Sequence, residues 1–202
     1  MFSAEVTLKL DDDFVRYWSK LYEAEELGGL ERELLTTTHL AITERGYLTV
    51  DELMKVARWK ARRVLGILTR DEKDVRDVTR MALASETPER FRHHILRILS
   101  GVGHPMASAI LTIWDPETHT VVDYRVVEAL RELEEREALP SAPAAGNRRH
   151  MPGYWTYLVP YRDIAKSAGV SHRDLDRALW KWSQAGMPWS WPSGQDSDGT
   201  AG

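Results

Sequence analysis

The stretch Leu99-Ser100-Gly101-Val102-Gly103-His104-Pro105-Met106-Ala107 decides how the chain is read. Upstream of it, Phe91, Ile95, Ile98 and Leu99 recur at helical spacing, and downstream Ala107, Ile110 and Leu111 do the same. Thr87-Pro88-Glu89-Arg90 opens the first helix, with Pro88 at the first helical position. The two glycines between the helices allow a tight turn and let bare backbone approach a ligand closely. A helix that starts on such a turn presents unpaired N–H groups and the positive end of its dipole. The spacing therefore predicts a helix-hairpin-helix over about residues 88–114. Gly101, Val102, Gly103 and His104 are its expected contacts to a DNA backbone. Gly-Val-Gly alone also fits a plain helix–helix turn, but the flanking apolar spacing favours the hairpin.

Outward from the hairpin the pattern stays helical. Phe14, Trp18, Leu21 and Tyr22 share one face, Gly28-Gly29 interrupts, and a second helix runs from Leu30 through Ile42 to Gly46. Thr49-Val50-Asp51-Glu52 is a capping box that opens a helix through Val56, Lys60 and Val64, extending toward Leu68. Further helices are expected over Asp71–Ala84, Asp123–Ala138, Tyr154–Ala168 and Ser171–Ala185. Val6 to Leu10 reads as a short strand or an extended lead-in, and Pro140 to Met151 as an exposed loop. The expected fold is all-α: a two-lobed helical domain over residues 1–188, closed by a helix pair at 154–185, with a disordered tail at 189–202.

Composition narrows the chemistry. The 202 residues carry a net charge of −4 and no cysteine. Disulfides, thiolate zinc sites and cysteine-held iron–sulfur clusters are thereby excluded. Any DNA grip must be local, because the whole chain is not basic. No stretch reads as a transmembrane helix or signal peptide, so a cytoplasmic, nucleoid-associated monomer is expected. His93-His94 and His104 lack further partners at metal-ligand spacing, so neither metal nor cofactor is expected. Trp18, Trp59 and Trp114 read as core. Of Trp180 and Trp182, two residues apart, one reads as core and the other as facing out.

Asp123 is the candidate catalytic residue. It stands twenty residues beyond Gly103, where a helix begins, and its structural role would be to cap the N–H of Arg125 or Val126. Gly101-Val102-Gly103-His104-Pro105-Met106-Ala107 followed by Val121-Val122-Asp123-Tyr124-Arg125-Val126 resembles the signature of the helix-hairpin-helix DNA glycosylases, the superfamily of endonuclease III, adenine glycosylase and 8-oxoguanine DNA glycosylase. The likeness spans residues 87–135 and points to the 8-oxoguanine branch. It implies an enzyme that flips a damaged or modified base out of duplex DNA and excises it, with Asp123 stabilising the positive charge on the sugar. Members of the superfamily that also cleave the strand carry a lysine two residues after the second hairpin glycine; here that residue is Pro105. The resemblance therefore implies a monofunctional enzyme in which water completes the displacement.

Two other features enter the reading. Lys55, Arg58, Lys60, Arg62 and Arg63 form the densest basic patch, read as a solvated helix face or as phosphate contacts beside the hairpin, with Lys60 and Arg63 the chosen contacts. Lys60 is also the amine that would replace the missing lysine. Asp163 to Leu179 resembles a repressor-type helix-turn-helix, with Gly169 in the turn and Ser171 as cap. Its outward positions His172, Arg173, Asp174 and Asp176 are too acidic for a phosphate-facing helix. The alternative function is accordingly DNA binding without chemistry through these two elements, and a helical protein–protein adaptor is the third.

Overall fold

The structure, a computed structural model, describes residues 8–139 and 151–191. All regular structure among them is helical, with no strand. The elements are α1 (Asp12–Glu25), α2 (Gly29–Glu33), a π-helical turn (Leu34–Thr38) that runs into α3 (His39–Arg45), α4 (Val50–Lys60), a 3-10 turn (Arg62–Val64), α5 (Glu72–Leu83), α6 (Glu89–Leu96), α7 (His104–Trp114), α8 (Tyr124–Glu135), α9 (Tyr154–Ala168) and α10 (His172–Gln184). Residues 8–10, the described part of the expected lead-in, have no regular structure. The expected loop at 140–151 lies outside the described residues except for Met151, and the expected tail except for 189–191.

Local chemistry explains most boundaries. Asp11 accepts from the Phe14 N–H to start α1, and Asp71 accepts from Asp74 to start α5. Both halves of the Thr49–Glu52 capping box are formed. Gly46 ends α3 in the left-handed region, at φ 77°. Three expectations are corrected. α4 stops at Lys60 rather than continuing toward Leu68, because Ala61 leaves helical geometry (φ −152°, ψ 59°). Pro88 is not the first helical residue but precedes α6 in extended geometry, and the Thr87 hydroxyl donates to the Met81 carbonyl at 2.6 Å. The expected apolar face is buried only in part: Leu99 is buried, but Phe91 and, beyond the end of α6, Ile98 are exposed, while Arg92, His93 and Leu96 of α6 are buried. Partners distant in sequence make this possible, since Arg92 donates to the Ala82 carbonyl at 2.8 Å and lies over the Trp114 ring.

One compact unit comprises Leu27–Asp123 with Gly153–Leu158. Its centre is α7, in which Met106 to Ile113 are all buried. A helix apolar all round belongs inside a core. α3, α4 and α6 pack against it, and Ala107, fully buried, leaves room for close approach. Leu34, Ile42, Leu53, Val56 and Ala57 complete this core. Trp59 and Trp114, expected in the core, are only half-buried.

The second unit is built from residues 8–26, 124–139, 151–152 and 159–191. Here α10 packs on α1 and α8. Phe14 meets Trp182 edge-on, with ring centres 5.5 Å apart. Trp182 is the buried member of its pair, while half-buried Trp180 lies against Tyr22 and Arg125. Lys181 reaches Glu25 (2.6 Å) and Glu26 (2.9 Å), and Arg177 reaches Glu23 (2.8 Å). Burial opposes the charge on Lys181, but the two glutamates outweigh it and raise its pKa.

Candidate nucleic-acid interface

α6 ends at Leu96, short of Leu99, and residues 97–103 form the turn that joins it to α7. The turn's two glycines are there for different reasons. Gly101 has φ 81°, and a β-carbon on it would sit 2.8 Å from the Leu68 Cα and 3.0 Å from the Leu68 nitrogen. It thus satisfies both a left-handed turn and a close approach of backbone to backbone. The same contact is tied by the Thr69 N–H, which donates to the Ser100 carbonyl at 3.0 Å. Gly103, in contrast, has ordinary extended geometry (φ −85°) at the N-cap of α7, with no side-chain cap. A β-carbon on it meets no described atom within 4 Å. Gly103 is exposed, while Val102 is buried and seats the turn on the core.

The loop docked on the hairpin is basic. From Arg58 to Arg70 the chain carries Arg58, Lys60, Arg62, Arg63 and Arg70 and no acidic residue. Arg62, Arg63 and Arg70 are exposed, and so is Arg97 at the end of α6. These cations cluster in one segment of a chain whose net charge is −4.

His104 belongs to a buried aromatic stack. Its Nδ1 lies 2.8 Å from His93 Nε2, which also faces the His104 carbonyl at 3.2 Å. A carbonyl only accepts, so His93 carries its proton on Nε2; its Nδ1 has no hydrogen-bond partner among the described residues. The His93 ring stacks on Tyr154 at 4.6 Å, and the Tyr154 ring faces His119 at 6.0 Å. The Tyr154 hydroxyl donates to the Thr120 carbonyl (3.2 Å) and so accepts from His119 Nδ1 (3.0 Å). Burial drives the His93 pKa down to about 3, so this imidazole is neutral.

Asp123 is reached from the same helix that starts at the Gly103 turn. Ser108 lies on α7, five residues and about 7.5 Å of helix rise beyond Gly103. Its hydroxyl accepts from the Val122 N–H at 3.0 Å and fixes the segment that delivers Asp123, one residue before α8. α4, packed on α7, ends at Lys60, whose Nζ forms an ion pair with Asp123 Oδ2. The two side chains are 15% and 20% exposed, so both remain within reach of solvent. The structure thus brings together two expected site residues that are 63 positions apart. Arg63 lies in the 3-10 turn that follows and is exposed.

The sequence shows no sign of the pair, because Lys60 is one basic residue among five in its patch. It also passed over Tyr154 and His119, which read as ordinary polar-aromatic residues until the fold stacks them. The helix-turn-helix reading is corrected. Gly169 does take the turn (φ 69°) and Ser171 does cap α10. But Asp176 is buried, Arg173 is paired to it, and Arg177 and Lys181 are engaged by α1. Among the described residues no group of three or more metal-ligating side chains forms. No helix there is long and apolar enough to cross a membrane. Neither protein-family models, curated proteins nor solved structures gave a match to this chain.

Proposed function

We propose that this chain is a DNA N-glycosylase that removes a damaged or modified base from duplex DNA. The observation that carries the reading is that one buried helix, α7, holds an open backbone turn at its start and, through Ser108, the segment ending in Asp123. Gly103 and the basic loop bind phosphates on either side of an extruded nucleotide, contacts that position the duplex without reading its sequence. The Asp123 carboxylate then faces the sugar. As the glycosidic bond breaks, positive charge builds on the ring carbon and oxygen, and a fixed anion stabilises it. No metal or cofactor is required for this step.

The test is a panel of duplexes, each carrying one defined lesion, scored for abasic sites by alkali cleavage. At least one lesion should yield abasic sites. The Asp123→Asn variant should keep the fold and DNA affinity, since Asn is also a good N-cap. It should release base about a hundredfold more slowly, the usual cost of one electrostatic stabiliser. Tight binding with no base release on any lesion would favour the non-catalytic alternative, and undiminished release by the variant would remove Asp123 from the mechanism.

A further inference from the structure

Lys60 alters what the site can do once the base has gone. An ammonium held against Asp123 is a poor neighbour for a sugar that is becoming positive, and it also partly neutralises the carboxylate expected to help. Once the base has gone, the sugar is neutral and no longer needs the carboxylate's charge, so the proton can pass from Nζ to Oδ2. The contact is already made, and the transfer leaves a neutral primary amine beside the sugar with no net change in charge. A neutral amine is a nucleophile toward carbonyl carbon. The sugar left by base loss is a hemiacetal whose open form carries an aldehyde at C1′.

Resting on the glycosylase reading, we infer that Lys60 is the nucleophile of a second activity, cleavage of the DNA strand at the abasic site. Nζ bonds to C1′, and the aldehyde oxygen leaves as water with the proton that Asp123 received. The product is a protonated imine. The Asp123 carboxylate, ionised again, takes a proton from C2′. The electron pair of that bond forms the C2′=C3′ double bond as the C3′–O3′ bond breaks, and the 3′ strand departs with a 5′-phosphate. Water then hydrolyses the imine, returning the Lys60 amine and leaving an unsaturated aldehyde on the other strand end. Nothing is oxidised or reduced, and water is the sole co-reactant. Pro105, which has no amine, is no obstacle, because the nucleophile comes from α4 and not from the hairpin.

The experiment uses the full chain and a duplex with one preformed abasic site, so the identity of the excised base does not enter. Borohydride reduces the imine to a stable amine. The expected result is a denaturation-resistant protein–DNA adduct, mapped to Lys60 by mass spectrometry of the peptide that carries it. Lys60→Arg keeps a cation on Asp123 but no nucleophilic amine. Its adduct, normalised to the amount of duplex bound, should fall by at least 99%. Asp123→Asn should form it more slowly. Binding without an adduct, or an adduct that persists in Lys60→Arg or maps to another amine, would overturn the role of Lys60 and leave the glycosylase reading standing. Failure of the wild-type chain to bind the abasic duplex at all would overturn both.

Discussion

Gly101 and Gly103 are two residues apart and should respond to substitution in opposite ways. An alanine at 101 would be held at φ 81° with its β-carbon against the backbone of Leu68, which has no flexible end to move aside. Strain of this kind plus overpacking costs about 2–4 kcal/mol, so Gly101→Ala should lower the unfolding midpoint by many degrees. Gly103→Asp should do the reverse. Asp is a better N-cap than Gly, and the position is open, so stability should hold or rise slightly. Its carboxylate would occupy the place of a phosphate, and duplex affinity should fall at least about tenfold regardless of sequence. Thermal unfolding and fluorescence anisotropy separate the two; unchanged affinity in Gly103→Asp would mean that the hairpin is not the anchor. The turn was legible in the sequence because glycine reports backbone need directly. The reason for each glycine was not, because Leu68 is more than thirty positions away from Gly101.

α6 shows where periodicity misleads. Its apolar residues predicted one buried face, and the helix instead buries Arg92 and His93 and exposes Phe91, while just beyond it Ile98 is exposed and Leu99 buried. Pattern reading ranks side chains by polarity, whereas this packing is set by Ala82, Trp114 and Tyr154, which supply hydrogen bonds and ring faces. Burying a neutral imidazole has a consequence in pH. His93 titrates at about 3 in the folded chain against an ordinary value of 6.5. Between those values the unfolded chain binds a proton that the folded chain refuses, so stability is unaffected above pH 6.5 and falls as the pH drops through the window toward 3. By pH 5 the loss is about 2 kcal/mol. His93→Gln cannot titrate. Urea unfolding at pH 7 and pH 5 should show it losing about 2 kcal/mol less than wild type between the two, even if it starts less stable. Equal losses would mean that His93 is not buried in its neutral form.

For the molecule as a whole, the proposed function must contend with a net charge of −4, which confines any phosphate contact to the cations of the 58–70 segment and Arg97. With about three to four phosphates neutralised, log affinity should fall with log salt at a slope of about −3 to −4. Arg63→Glu should weaken binding to every sequence and flatten that slope by about one, and an unchanged slope would remove Arg63 from the interface. The all-helical class was legible throughout, since caps, glycines and apolar spacing are local signals. The pairing of Lys60 with Asp123 was not, because it depends on how α4 and the 120–122 segment each meet α7. A similar separation governs α1. Its apolar residues Phe14 and Trp18 are made early, while Trp182 on α10, against which Phe14 packs, is made last. At about 5–20 residues per second, the ribosome takes roughly 8–35 s to add the 164 residues from Trp18 to Trp182. The unit spanning Leu27–Asp123 is synthesised but for one short segment within that time, and α1 still lacks α10 over its apolar stripe. A nascent chain stalled before α10 therefore leaves Phe14 without its Trp182 contact.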